Sequence, residues 1–255
     1  MNRPLITFVI SGVMLTSVLS CEKTGLTTHV DTHSPNQQTS DEVRPNLAGG
    51  HFNATYIDTI HYATPQLYIF NGIQYARYDV LTNTYKGINT IANGYPGVPF
   101  TSFDASYVDI WHYGNTAQLY IFSGDQYARY DMTTNQYKGV NSIADGYPGV
   151  PFTSIDASYV DVYGYPGHPK LYLFSNSQYA RYDILTNTYE GVASINNYPG
   201  MPFTRIDAAY IDKYHYNGQP QLYIFSGNQY ARWDVLTNTY QGTNTTANGY
   251  PGVPF

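Results

Sequence analysis

Acidic side chains recur at fixed places along the chain, and they are the first candidates for chemistry. One set consists of Asp58, Asp109, Asp161 and Asp212, and the other of Asp79, Asp131, Asp183 and Asp234. Carboxylates can act as general acids and bases, but catalysis needs one asymmetric group of residues in one pocket. Because these acids repeat four times, we interpret them as structural.

Each acid of the second set follows an arginine by two positions. The arginines are Arg77, Arg129, Arg181 and Arg232. Residues two apart on a strand share one face, so we expect each arginine to form an ion pair with the aspartate that follows it.

Three histidines could bind haem, because imidazole is a common haem ligand. His61, His112 and His215 each stand directly before a tyrosine and at the same distance from an acid of the first set. The third unit has Gly164-Tyr165 at this place instead, with His168 displaced. A repeated His-Tyr pair is more typical of a turn motif, and haem binding is the alternative.

Other features of the chain argue against several classes of protein. The sequence contains no nucleophile elbow, no phosphate-binding glycine loop and no zinc-protease helix, so we expect no enzyme. The single cysteine, Cys21, cannot form an intramolecular disulfide or a cysteine-rich zinc site. The net charge is -6 and the 12 Lys and Arg residues stand singly, which argues against nucleic acid as a partner.

The N-terminal segment 1–21 is predicted to be an export signal. Its apolar run from Leu5 to Leu19 is shorter than the ~20 residues that span a membrane. The string Val18-Leu19-Ser20-Cys21 resembles a bacterial lipobox, which would attach a lipid to Cys21 and leave the protein in the cell envelope. Cleavage after Ser20 followed by plain secretion is the alternative. Residues 22–50 are polar and predict a flexible linker.

The rest of the chain consists of four copies of one unit. The string Leu-Tyr-Ile-Phe starts at Leu67, Leu119 and Leu222, and Leu-Tyr-Leu-Phe starts at Leu171. Gln-Tyr-Ala-Arg and Tyr-Pro-Gly recur with the same spacing, so the repeat length is about 51 residues.

Each unit contains short runs that are typical of β-strands. In the first unit these runs are Ala54–Asp58, Gln66–Phe70, Gln74–Val80 and Tyr85–Ile91, followed by a type II turn at Tyr95-Pro96-Gly97. Leu67 to Phe70 is apolar on both faces, so its sheet must be covered on both sides. We therefore predict an all-β, four-bladed β-propeller, with blades at about 51–102, 103–154, 155–205 and 206–255.

The repeats resemble the hemopexin repeat family, the four-bladed propellers of serum hemopexin, metalloproteinase C-terminal domains, plant seed albumins and bacterial photopexins. The resemblance rests on Asp104-Ala105-Ser106-Tyr107 and its counterparts, on the Leu-Tyr-Ile-Phe strand and on Tyr-Pro-Gly. Two features depart from the family. Alanine replaces the tryptophan that commonly precedes the arginine, and the cysteine pair that often joins the first and last blades is absent, so we expect the ring to close noncovalently.

This resemblance implies a cation on the propeller axis, calcium or sodium, held by backbone carbonyl oxygens. Hard cations of this kind prefer oxygen ligands. The first implied ring of carbonyls belongs to Asn53, Asp104, Asp156 and Asp207. The second belongs to Thr55, Ser106, Ser158 and Ala209.

Taken together, these features predict a non-catalytic extracytoplasmic binding module. Its expected partner is a protein or a surface glycan, and its only contact with a membrane would be the lipid on Cys21. The alternative is capture of haem or another small ligand for uptake. Serum hemopexin, however, holds haem between two propellers, and only one is predicted here.

Overall fold

The computed structural model describes residues 50 to 114 and 116 to 255. The predicted signal segment with Cys21 and residues 22–49 of the predicted linker lie outside the described residues. Within the described ranges, no helix is long and apolar enough to cross a membrane.

The described chain forms four antiparallel sheets of four strands each, and the strands of each sheet follow their order in the sequence. The first sheet contains β1 (Ala54–Asp58), β2 (Gln66–Asn71), β3 (Gln74–Asp79) and β4 (Thr84–Thr90). The second contains β5 (Ala105–Asp109), β6 (Gln118–Ser123), β7 (Gln126–Asp131) and β8 (Gln136–Ser142). The third contains β9 (Ala157–Asp161), β10 (Lys170–Ser175), β11 (Gln178–Asp183) and β12 (Thr188–Ser194). The fourth contains β13 (Ala208–Asp212), β14 (Gln221–Ser226), β15 (Gln229–Asp234) and β16 (Thr239–Thr245).

The four sheets are the blades of a propeller, as predicted. Their first strands β1, β5, β9 and β13 contact one another and so surround a common axis. The second strand of each blade is covered on both faces, and Leu67, Ile69 and Phe70 in β2 are fully buried. This burial explains why the second strands have four consecutive apolar or aromatic residues rather than an alternating pattern.

The hydrophobic core lies between the blades rather than within one of them. Four separate clusters of buried residues each join one blade to the next around the ring. In the cluster between the fourth and first blades, Ala76 of β3 is buried together with Phe225 and Tyr250 of the fourth blade. The small side chain leaves room for the aromatic rings of the neighbouring blade.

The ring closes without a covalent bond. Phe52 lies before β1 and is 1% exposed, and its ring centre is 5.0 Å from that of Phe225 and 5.3 Å from that of Tyr250. Tyr78 of β3 also meets Tyr250, with 5.4 Å between the ring centres. Aromatic packing between the first and last blades therefore replaces the disulfide that such propellers often carry.

Each outer strand carries an irregularity at the same place. In the first blade the register between β3 and β4 shifts between Arg77 and Tyr78, so that Lys86 is an extra residue. The next residue, Gly87, has φ of +124°, a backbone conformation that residues with a Cβ rarely adopt. The Gly of the Tyr-x-Gly string in each blade is therefore required by the bulge.

Short helices follow the fourth strands, and the sequence did not predict them. They are α1 (Ile91–Gly94), α2 (Ile143–Gly146) and α3 (Thr246–Gly249), with a 3-10 helix at Ile195–Asn197 in the third blade; another 3-10 turn, Tyr216–Gly218, lies between β13 and β14. The Thr90 hydroxyl caps α1 by accepting a hydrogen bond from the Asn93 N–H. The predicted turn at Tyr95-Pro96-Gly97 is present, with a 3.2 Å hydrogen bond from the Val98 N–H to the Tyr95 carbonyl and φ of +88° at Gly97.

Candidate functional site

The axial channel is lined by the first strands, which carry the residues of the predicted second ring. Thr55, Ser106, Ser158 and Ala209 all line an opening of about 120 Å³. The Thr55 hydroxyl donates to the Ala209 carbonyl at 3.1 Å, and the Ser106 hydroxyl donates to the Thr55 carbonyl at 3.3 Å. These bonds connect neighbouring blades at the axis.

The Ser158 hydroxyl is different, because its oxygen is buried and has no hydrogen-bond partner among the described residues. A buried polar atom without a partner is unusual and calls for an explanation, for which an unobserved water or ion is a standard one. The channel therefore offers carbonyl and hydroxyl oxygens and no charged side chain, a donor set that suits a hard cation.

The first predicted ring has the same backbone arrangement in all four blades. The N–H groups of Asn53, Asp104, Asp156 and Asp207 each donate to the carbonyl of a phenylalanine in the second strand, at 2.7 to 2.9 Å. The carboxylates of the three aspartates accept hydrogen bonds from the hairpin between the second and third strands, for example Gly124 N–H to Asp104 at 2.9 Å. These side chains therefore have structural partners of their own.

The three histidines each bind the aspartate of their own blade. The Nδ1 atoms of His61, His112 and His215 lie 2.7, 2.6 and 2.5 Å from Asp58, Asp109 and Asp212. Each aspartate also accepts backbone N–H groups; Asp109 accepts those of Trp111 and His112. This is an Asx turn after the first strand. The hydrogen bonds support the turn interpretation of the His-Tyr pairs over the haem alternative.

The predicted ion pairs between arginine and the following aspartate are wrong. Arg77 instead lies over the ring of Tyr62, with 4.4 Å from Cζ to the ring centre, and it donates to the Tyr62 hydroxyl. Arg181 pairs with Glu190 at 2.7 Å. The face-sharing argument failed because it omitted the tyrosine that the loop between the first and second strands brings onto the same face.

The aspartates of the second set form turns of their own. Asp79 accepts hydrogen bonds from the Thr64 hydroxyl at 2.7 Å, from the Thr82 N–H at 3.0 Å and from the Gln66 amide at 3.1 Å. Burial alone would raise the pKa of Asp79, but these hydrogen bonds outweigh it and hold the pKa well below the usual value. Asp79 is therefore a structural anion at the turn between β3 and β4.

Cavities lined with tyrosine lie between adjacent blades, and the sequence did not predict them. They occur at one end of the propeller, where the loops from first to second strand and from third to fourth strand lie; we call this end the turn face. The cavity between the first and second blades measures about 260 Å³, that between the second and third about 60 Å³, and that between the third and fourth about 350 Å³.

The floor of each cavity is a pair of buried tyrosines in contact. In the first blade the hydroxyls of Tyr56 and Tyr95 lie 2.7 Å apart. The pairs Tyr107–Tyr147 and Tyr159–Tyr198 repeat this contact at the other two cavities, and Tyr210–Tyr250 repeats it in the fourth blade. Burial, the largest cause, raises the pKa of Tyr56 and Tyr95 well above the usual value, so both stay neutral. The sequence signal for these pairs was the tyrosine of Tyr-Pro-Gly, which recurs with the tyrosine of the first strand.

Comparisons with known proteins show which proteins this chain resembles. No family model matches the chain. The chain is 30% identical over 207 residues to human (Homo sapiens) matrix metalloproteinase-21, a match that covers 71% of this chain and 33% of that protein. The chain thus spans about a third of the length of the curated relatives it matches first.

Two solved plant proteins have the same fold. The hemopexin fold protein CP4 from cow pea superimposes with a TM-score of 0.63 at 22% identity, over 80% of this chain and 96% of that one. A plant lectin with two metal binding sites from Cicer arietinum superimposes with a TM-score of 0.63 at 24% identity, over 81% of this chain and 100% of that one. The chain is therefore a hemopexin-fold protein, built as a four-bladed propeller of hemopexin-like repeats.

Proposed function

We propose that the chain is a non-catalytic binding module that recognises a surface glycan or a partner protein through its turn face. The single observation that carries this proposal is a repeated set of exposed tyrosines on that face. Tyr62, Tyr113 and Tyr216 are 38%, 37% and 42% exposed, and each occupies the same place in its blade.

The arginines hold these tyrosine rings in place. The Cζ atoms of Arg129 and Arg232 both lie 4.3 Å from the ring centres of Tyr113 and Tyr216, and that of Arg77 lies 4.4 Å from the ring centre of Tyr62. A ring that is held in this way loses little side-chain entropy when it binds, and tyrosine is enriched in binding surfaces for this reason. The plant lectin of the same fold supports a glycan as the ligand class.

We further propose that a cation, calcium or sodium, lies in the channel and stabilises the scaffold. The carbonyls of Thr55, Ser106, Ser158 and Ala209 would hold it, together with those of Asn53, Asp104, Asp156 and Asp207. The unpartnered Ser158 hydroxyl and the absence of charged side chains from the described channel lining support this site. Backbone ligation explains why Asn53 can replace aspartate in the first blade.

We propose that the protein is exported and is anchored in a bacterial cell envelope by a lipid on Cys21. Membrane association that survives a Cys21→Ala substitution would contradict this anchor and favour plain secretion.

The turn face is tested with the full chain on a printed glycan array and in agglutination of red cells. A Tyr62→Ala, Tyr113→Ala, Tyr216→Ala triple variant should lose at least about tenfold in binding, because aromatic anchors carry much of an interface's energy. The matched control is Ile73→Ser, which removes an apolar side chain that is 64% exposed in the hairpin at the opposite face. Binding that resists the triple variant but is lost in the control would refute the choice of face.

A further inference from the structure

The cavity between the third and fourth blades differs from its counterparts in size. At about 350 Å³ it is the only one of the three described inter-blade cavities that reaches the roughly 300 Å³ typical of small-molecule sites. Exposed residues, Gly164, Asn197 and Asn238, lie among its lining, so the cavity opens to solvent at the turn face.

A glycine leaves one oxygen of Asp161 free at this cavity. In the other blades the histidine ring binds Oδ2 of the equivalent aspartate, but the third blade has Gly164 at the histidine's place. The Oδ1 atom of Asp161 accepts the N–H groups of Tyr163 at 2.8 Å and Gly164 at 2.9 Å, whereas no described residue donates to Oδ2. A Cβ at Gly164 would lie only 2.6 Å from this Oδ2 atom.

The walls of the cavity are largely aromatic. They comprise Tyr159, Tyr165, Tyr172, Tyr179, Tyr198 and Trp233. The indole N–H of Trp233 already donates to the Pro199 carbonyl at 2.9 Å, so the indole offers this cavity only apolar and π-electron surface. Trp233 replaces the tyrosine that the other blades have at this position.

The charges around the cavity leave it negative. Arg181 lines it, but Arg181 and Lys170 form a network with Glu190 and Asp183, with contacts of 2.6 to 2.7 Å, whose two positive and two negative charges cancel. Asp161 and Asp234 also line the cavity and belong to no ion pair among the described residues. An anionic ligand would therefore be disfavoured here.

We propose that this cavity binds a compact organic cation, an ammonium group that carries methyl substituents. Aromatic rings attract such a cation through their π faces, and the free oxygen of Asp161, which also lines the cavity, supplies the opposite charge. Methyl groups lower the hydration of the ammonium and fill the apolar walls, which favours a methylated ammonium over a sodium ion. The site is independent of the surface tyrosines of the proposed function, and either can fail without the other.

Choline is the probe, and 3,3-dimethylbutan-1-ol, its neutral isostere, is the matched ligand. The protein is the full chain with Trp111→Phe, which leaves Trp233 as the only tryptophan of the two in the sequence. We expect choline to change the Trp233 fluorescence saturably and to give calorimetric binding at constant ionic strength. The neutral isostere should bind at least about tenfold more weakly, since it has the shape without the charge.

Asp161→Asn is the decisive variant, because the asparagine oxygen can still accept the N–H groups of Tyr163 and Gly164. It should weaken choline binding at least about tenfold. Asp109→Asn, whose equivalent oxygen binds His112 beside the 60 Å³ cavity, is the matched control and should have no effect on choline binding.

If Asp161→Asn fails to fold, Gly164→Ala serves instead, because its methyl group would cover the Asp161 oxygen. No saturable binding by either method, equal binding of the neutral isostere, or unchanged binding in the Asp161 variant would each overturn the proposal.

Discussion

At the scale of single residues, the aspartate that ends each first strand closes the turn that follows. Asp109 is 1% exposed and accepts two backbone N–H groups and the His112 ring. The His112 side chain is 36% exposed, and the third blade forms the same turn with Gly164 at its place. The aspartate therefore matters more for stability than the histidine does.

We predict that Asp109→Ala destabilises the protein by about 2 to 3 kcal/mol, because it leaves buried backbone donors without an acceptor. His112→Ala should cost about 1 kcal/mol or less, since it removes only a half-exposed partner. Urea unfolding of the two variants measures the difference. Equal destabilisation would mean that the histidine does more than fill the turn. In that case a hemin titration of wild type and His112→Ala would test the haem alternative directly.

At the scale of the elements, the turns from third to fourth strand depend on carboxylates that are ionised. Burial alone would raise the pKa of Asp183, but the Lys170 ammonium and the Thr186 N–H outweigh burial and lower the pKa to about 2. Asp131 and Asp79 likewise have a lowered pKa in spite of burial, and in Asp234 the Thr237 N–H is the largest cause of a lowered pKa. The folded state thus binds these protons less readily than the unfolded chain.

Because the folded pKa lies below the unfolded value of about 4, the stability from these groups is complete above pH 4 and is lost as the pH falls toward 2. We predict a falling free energy of unfolding over this window and a shallower fall in Asp79→Asn. The asparagine can keep the hydrogen bond from the Thr82 N–H but has no charge to titrate. Asp125→Asn, at an exposed hairpin, is the control and should leave the profile unchanged. An identical profile for wild type and Asp79→Asn would contradict the role of this carboxylate.

The elements themselves were largely predictable, and the exceptions have physical causes. Strand runs such as Ala54–Asp58 match the structure, and four of the five residues of this strand are buried. The fourth strand ends at Thr90 rather than at Ile91, because Thr90 caps α1. A helix of one turn has no periodicity that a sequence could show. Arg77 was assigned to the wrong partner because a strand pattern says nothing about the loop residue Tyr62.

At the scale of the whole molecule, the proposed ligand site depends on the contacts between adjacent blades, and the sequence of a single repeat does not determine those contacts. The cavity beside Asp161 is built from two blades, so the repeat pattern could predict the tyrosines but not the space between them. The sequence could have shown that the four units differ from one another at this cavity. Gly164 and Trp233 are two of the places where the third and fourth units break the pattern of the others, and both lie at this cavity.

Ring closure and binding of the proposed cation both depend on contacts between blades, so the two are thermodynamically coupled. Phe52 packs on Phe225 and Tyr250 across the seam, and the channel oxygens come from all four blades, so only the closed ring would bind the ion. A ligand that binds only the folded state stabilises it by about 2.7 kcal/mol when the free ion is a hundredfold above its dissociation constant. For a domain of this size, that gain corresponds to roughly 5 to 11 °C in melting temperature.

We therefore predict that exhaustive dialysis against EDTA lowers the melting temperature by roughly this amount, and that calcium restores it. Asn53→Asp should change little, because the proposed ligand there is the backbone carbonyl, whereas Phe52→Ala should loosen the seam and weaken the ion's effect. Scanning calorimetry with and without chelator, in sodium and in potassium buffers, makes the measurement and separates calcium from sodium. A melting curve that neither EDTA nor the exchange of sodium for potassium moves would mean that aromatic packing at the seam holds the ring closed without an ion.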